Sequence, residues 1–118
     1  MQLAFQGTRI WIGNAPVDFR CSINGLAAIV AEQMPDAHIE DSIFVFFNKG
    51  RDKIKILGWH RNGYVMVYKR LEHGRFTVQK TNDGYASICE QQFSWLIAGL
   101  DWVEMSSWNS ELTFKSYH

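Results

Sequence analysis

Apolar positions along this chain repeat with two different periods, and the changeover divides it. Phe19, Ile23, Leu26, Val30 and Met34 recur at spacings of four, three, four and four, which is one face of an α-helix. Asn14-Ala15-Pro16 marks its start, with Asp18 placed to favour the positive end of the helix dipole. Gly25 weakens the helix and Pro35 ends it. Before it, residues 9–13 (RIWIG) read as a short strand, and after it residues 36–42 form an acidic loop.

From residue 43 to residue 80 the period drops to two. Runs 43–47, 53–60, 64–72 and 75–80 are separated by Gly-containing turns, which predicts a four-stranded antiparallel meander. Asn62-Gly63 is the strongest hairpin signal, because both turn positions favour positive φ. Ser87 to Glu90 fits a capping box, opening a second helix with Cys89, Phe93, Leu96, Ile97 and Leu100 on one face.

The turns predict register. With Asn62-Gly63 as a two-residue turn, Lys53 faces Glu72, Lys55 faces Arg70, Leu57 faces Tyr68 and Trp59 faces Met66. The opposite side then carries Ile54, Ile56, Val67 and Leu71, and a turn at His73-Gly74 adds Phe76 and Val78 to it. Two turns read independently therefore agree on the core side. Ile43, Val45 and Phe47 make the first strand apolar on both sides, which calls for a helix over part of the other face.

The expected architecture is α+β: a four-stranded antiparallel meander with residues 9–13 as an added N-terminal strand, packed against two helices over its core face. A chain of 118 residues with 47% apolar content suits one domain, read as 1–104, and can bury roughly 65% of its unfolded surface unaided. Residues 105–118 read as a polar tail with Trp108, Phe114 and Tyr117 as its only anchors. The longest apolar runs, 26–31 and 43–47, fall far short of the ~18 residues of a membrane helix. The N-terminus lacks a basic region followed by an apolar stretch, so no secretory signal is expected. Cys21 and Cys89 have no CxxC companions. They read as free thiols in a reducing cytoplasm, with a disulfide or redox pair as the alternative.

Formal net charge is zero, but it is the cancellation of two halves. Nine basic residues, Lys49, Arg51, Lys53, Lys55, Arg61, Lys69, Arg70, Arg75 and Lys80, lie in the meander against only Asp52 and Glu72, giving +7 there and −7 elsewhere. One face combines Lys55, Arg61 and Arg70 with Trp59, Tyr64 and Tyr68. Lys55 opposite Arg70 is a like-charge pair that costs stability, and a polyanion across the sheet would relieve it while aromatics stacked on bases. A solvated lysine-rich face, or an acidic protein partner, would use the same residues.

Catalytic patterns are missing. The chain holds no GxxxxGK[ST], GxGxxG or GxSxG. His38 beside Asp36, Glu40 and Asp41 reads as an acidic loop rather than a metal site. No enzyme activity, cofactor or metal is expected.

Arg9-Ile10-Trp11, Asp18-Phe19-Arg20, Asn24-Gly25-Leu26, Ile43-Phe44-Val45-Phe46, Arg51-Asp52-Lys53-Ile54-Lys55-Ile56-Leu57, Trp59, Tyr68-Lys69-Arg70-Leu71-Glu72, Gly74-Arg75-Phe76 and Leu100-Asp101-Trp102 occur in this order. Over about residues 7–103 the chain resembles the small accessory protein, called TnpB or Orf2, of the insertion-sequence family numbered sixty-six. It does not resemble the RNA-guided nuclease that shares the name, which is several times longer and carries an acidic triad. The resemblance implies a bacterial mobile-element protein encoded beside a separate transposase and needed for efficient transposition.

Together these readings predict a non-enzymatic transposition accessory factor that contacts element DNA. Lys53, Lys55, Arg61 and Arg70 would do so from the sheet face with Trp59 and Tyr68, and Lys49, Arg51 and Arg75 from the hairpin tips. The alternative is a protein-interaction module that docks the transposase or another accessory protein through Trp59, Met66, Leu57 or the tail aromatics.

Overall fold

The computed structural model describes residues 8–13, 15–79 and 84–107. Strand β1 (Arg9–Gly13) leads through helix α1 (Ile23–Gln33) and a 3₁₀ turn (Ile39–Asp41) into β2 (Ser42–Phe47). Strands β3 (Lys53–His60) and β4 (Gly63–Arg70) follow, then β5 (Tyr85–Ile88) and helix α2 (Glu90–Ile97). Residues 102–107 are again helical. The sheet runs in the order β4-β3-β2-β1-β5. β1 lies parallel to β2 and every other pairing is antiparallel. The α+β class and the added N-terminal strand are as expected.

The helices do not share a face. Leu26, Val30 and Met34 of the α1 segment bury Phe44, Phe46 and Leu57 on one side of the sheet. On the other side Phe93, Leu96 and Trp102 close over Ile10, Ile12, Ile43, Val45, Phe47, Ile54 and Ile56. β2 sits in the middle of this three-layer stack and is buried at all six positions, which explains its apolar run without alternation.

The fourth meander strand does not form. Residues 75–79 instead cross the α2 face of the sheet to deliver β5 to the far edge, beside β1. Phe76 and Val78 pack into the core on the expected side, so their alternation reflects a buried extended segment and not a ladder. Phe76 stands edge-on to Phe47 at 6.4 Å, and Trp102 Nε1 donates to the Thr77 carbonyl at 2.8 Å. β5 claims Ser87 and Ile88 for pairing with Trp11 and Ile10, which moves the helix cap two residues on. Cys89 is the N-cap, accepting from the N3 backbone, while its own N–H donates to Gln92 Oε1 at 2.9 Å.

α1 likewise starts later than its periodicity suggests. The Asp18 carboxylate accepts the Arg20 N–H at 2.9 Å, and this local bond competes with helix formation. Phe19 therefore packs against the sheet from a loop, and the helix begins only after Ser22. Both cysteines are free, Cys21 half-buried and Cys89 exposed. Residues 105–107 continue the last helix, and Ser106 is hydrogen-bonded to Gln92 and Trp102. Residues 108–118, including Trp108, Phe114 and Tyr117, lie outside the described residues.

Candidate nucleic-acid interface

The β3–β4 hairpin turns at Arg61-Asn62 and not at Asn62-Gly63, because His60 pairs with Gly63. Every cross-strand partner therefore shifts by two residues. An even shift preserves faces, so Lys53, Lys55, Leu57 and Trp59 still share the α1 side with Tyr64, Met66, Tyr68 and Arg70. What changes is who faces whom. Lys55 sits opposite Tyr68, and the like-charge pair is Lys53 with Arg70.

Lys55 is withdrawn from any surface role. It is only 7% exposed, and its ammonium donates to the carbonyls of Phe19 at 2.7 Å and Cys21 at 3.0 Å, 5.0 Å over the Phe19 ring. These bonds pin the segment before α1 onto the sheet. Lys69, on the opposite face, donates at 2.6 Å to the Ile97 carbonyl at the end of α2. Two of the nine meander cations thus serve the fold, and Lys80 lies outside the described residues.

Five others meet at one end of the sheet. The Asp52 carbonyl accepts the Leu71 N–H at 2.7 Å and the Arg51 carbonyl accepts the Phe76 N–H at 2.6 Å. Those two bonds clamp the β2–β3 turn against the segment leaving β4. Lys49, Arg51 and Arg75 are exposed there, beside Lys53 and Arg70 at the strand ends. Asp52 and Glu72 are the nearest acids. Asp52 is engaged by Asn48 Nδ2 at 2.6 Å, which holds its carboxyl below the usual range. Glu72 accepts from Arg70 at 3.0 Å and raises the guanidinium pKa. Arg20, exposed, lies between the two residues whose carbonyls hold Lys55. It pairs at 2.6 Å with Asp18, whose carboxyl falls to about 2 chiefly through that hydrogen bond.

Trp59 lies toward the other end of the hairpin, about 20 Å from Lys53 by strand rise, and Arg61 in the turn beyond it. Trp59 Nε1 donates to the Arg61 carbonyl at 3.1 Å, and its ring meets Tyr64 edge-on at 5.1 Å. Tyr68, half-exposed, lies between the ends and touches Phe19 at a ring distance of 6.2 Å. Leu57 is fully buried and Met66 packs on the α1 cluster, so of the expected docking anchors among the described residues only Trp59 remains near the surface. Arg51 and Arg61, which flank β3, both hold left-handed backbone, with φ of 61° and 56°. A separate cleft of about 430 Å³, lined by Arg9, Trp11, Asp36, His38, Asp41 and Ser42, sits beyond the Trp59 end. It carries both charge signs. No group of three or more His, Cys, Asp or Glu among the described residues is placed to hold a metal ion. Nor is any helix among them long and apolar enough to cross a membrane.

Fold and site together define a small α+β domain with one cationic sheet end and an aromatic-edged hairpin. Residues 8–107 match the family described as IS66 Orf2 like protein, and the chain belongs to that family. It is a family of transposition-associated accessory proteins rather than known enzymes. Among relatives, the uncharacterized protein y4jC of Sinorhizobium fredii is 38% identical over 101 residues, covering 85% of this chain and 86% of its own. A second from the same organism, the uncharacterized protein y4hO, is 31% identical over 97 residues, covering 82% and 84%. No solved structure matches the chain significantly.

Proposed function

We propose that this protein is a non-enzymatic accessory factor that binds element DNA during transposition, in the cytoplasm and alongside the transposase of the same element. One observation carries the reading: Lys49, Arg51, Lys53, Arg70 and Arg75 converge at one end of the sheet, where the backbone clamp between residues 51–52 and 71–76 holds them. Nothing in the core requires these side chains, and clustering like charges costs stability that a polyanion returns. Lys55 drops out of the contact set because its ammonium is already bonded.

If these five neutralise five phosphates, log affinity for duplex falls with log salt at a slope of about −4.5. Titration of labelled element ends, duplex and single-stranded, across a salt series tests this. Binding to neither form, or binding indifferent to salt, overturns it.

A docking module for the transposase or another accessory protein is the second reading, favoured by the exposed Tyr64 beside Trp59. Interface energy concentrates in such anchors. Trp59→Ala would then abolish a complex that Lys53→Glu leaves intact, whereas in DNA binding Lys53→Glu is the costlier of the two.

A further inference from the structure

The shape of the exposed strip discriminates between forms of nucleic acid. α1 and the Phe19 loop cover the centre of their face, Lys55 and Leu57 of β3 included, so what stays open is the edge strand β4 with the two ends of β3 at Lys53 and Trp59. Between those ends the margin is one strand wide, with the Phe19 ring walling its inner side at Tyr68. Tyr64 and Tyr68 lie four positions apart on one face of β4, about 13 Å by strand rise, and are 38% and 49% exposed. Arg70 and Lys53 pair directly at the next same-face position.

We infer that this margin takes single-stranded nucleic acid in preference to duplex. A duplex keeps its base faces inside the stack, so it offers tyrosine rings on an edge strand nothing but groove walls and phosphates. A single strand offers π-faces to Tyr68 and to the Tyr64–Trp59 pair, with its backbone on Arg70 and Lys53. The roughly 24 Å that β3 spans from Lys53 to His60 suits about four nucleotides, the short end of known single-strand sites. The polarity follows from the chemistry: phosphate anchoring at the Arg70 end, stacking toward the Trp59 end.

The inference rests on the proposed DNA-binding role and fails separately from it. Fluorescence anisotropy of the full chain with a labelled mixed-sequence 12-mer, alone and annealed to its complement, reads both. The single strand is expected to bind at least tenfold more tightly. Tyr68→Ala should weaken single-strand binding about tenfold while leaving duplex binding within twofold, and Tyr68→Phe should restore it because the ring survives. Arg70→Ala should weaken both forms. Tyr68 is half-exposed, so a circular-dichroism melt is expected to show all variants folded. Equal or tighter binding of duplex, or a Tyr68→Ala loss shared by both forms, overturns the single-strand inference and leaves DNA binding standing. Binding of neither form overturns DNA binding itself.

Discussion

The Lys55 ammonium reaches the Phe19 carbonyl at 2.7 Å, from the middle of the sheet to the loop that precedes α1. A lysine that would serve a nucleic-acid face is here the bolt between two layers of the fold. Lys55→Met keeps the stem but leaves the Phe19 and Cys21 carbonyls without this donor, at a cost of about 2–3 kcal/mol. Urea unfolding should show a lower midpoint with unchanged slope. DNA affinity of the folded fraction should stay within about twofold, since no exposed charge is lost.

Arg51 and Arg61 pay for their positions in backbone strain. A left-handed residue other than glycine costs roughly 1–2 kcal/mol, and both sites are exposed turns where glycine would serve. Arg51→Gly and Arg61→Gly should each raise the unfolding free energy by about 1 kcal/mol. Arg51→Gly should at the same time weaken polyanion binding, because it removes one of the five clustered cations. Gains in both properties would show that the arginine has no binding role.

Asp18 should titrate at about 2 in the folded chain, against an ordinary 3.8, because Arg20 donates to it from side chain and backbone. A depressed carboxylate contributes stability above its unfolded pKa and loses it as pH falls through the folded value. The loss therefore falls between about pH 4 and pH 2, and it is small because both groups are exposed. Carboxyl-carbon NMR titration checks the midpoint, and Arg20→Ala should return it toward 3.8.

Gly99 closes α2 with φ of 79°. Its N–H bonds the Leu96 carbonyl at 2.9 Å and the Leu100 N–H bonds that of Trp95 at 3.0 Å, the paired pattern of a glycine-terminated helix. Gly99→Ala should destabilise by about 1 kcal/mol through its backbone alone, since an added Cβ meets the Leu71 side chain at an ordinary 3.5 Å. Thermal melts measure the effect.

Much of this was legible in the residues. The Asn62-Gly63 signal places the hairpin register two residues from the observed one, yet the face of every β3 and β4 side chain is the same in both, because period-two alternation tolerates an even slip. The family motifs and the concentration of cations between residues 49 and 80 were equally local. The alternation of Phe76 and Val78 marks them as inward-facing, as they are, but does not reveal that the segment crosses the sheet without pairing to it. The capping motif was displaced from Ser87 to Cys89 because β1, more than seventy residues earlier, takes Ser87 and Ile88 as partners.

By itself, then, the sequence determined the α+β class, which side chains share a face, and where positive charge accumulates, since each follows from local period and composition. Only the tertiary structure decided that α1 and α2 take opposite faces, that Lys55 and Lys69 are spent on carbonyls, and that five other cations meet at one end. Those outcomes depend on contacts between residues dozens of positions apart. Formal charge is carried by each residue alone, but whether that charge faces solvent is set by what the rest of the chain packs against it.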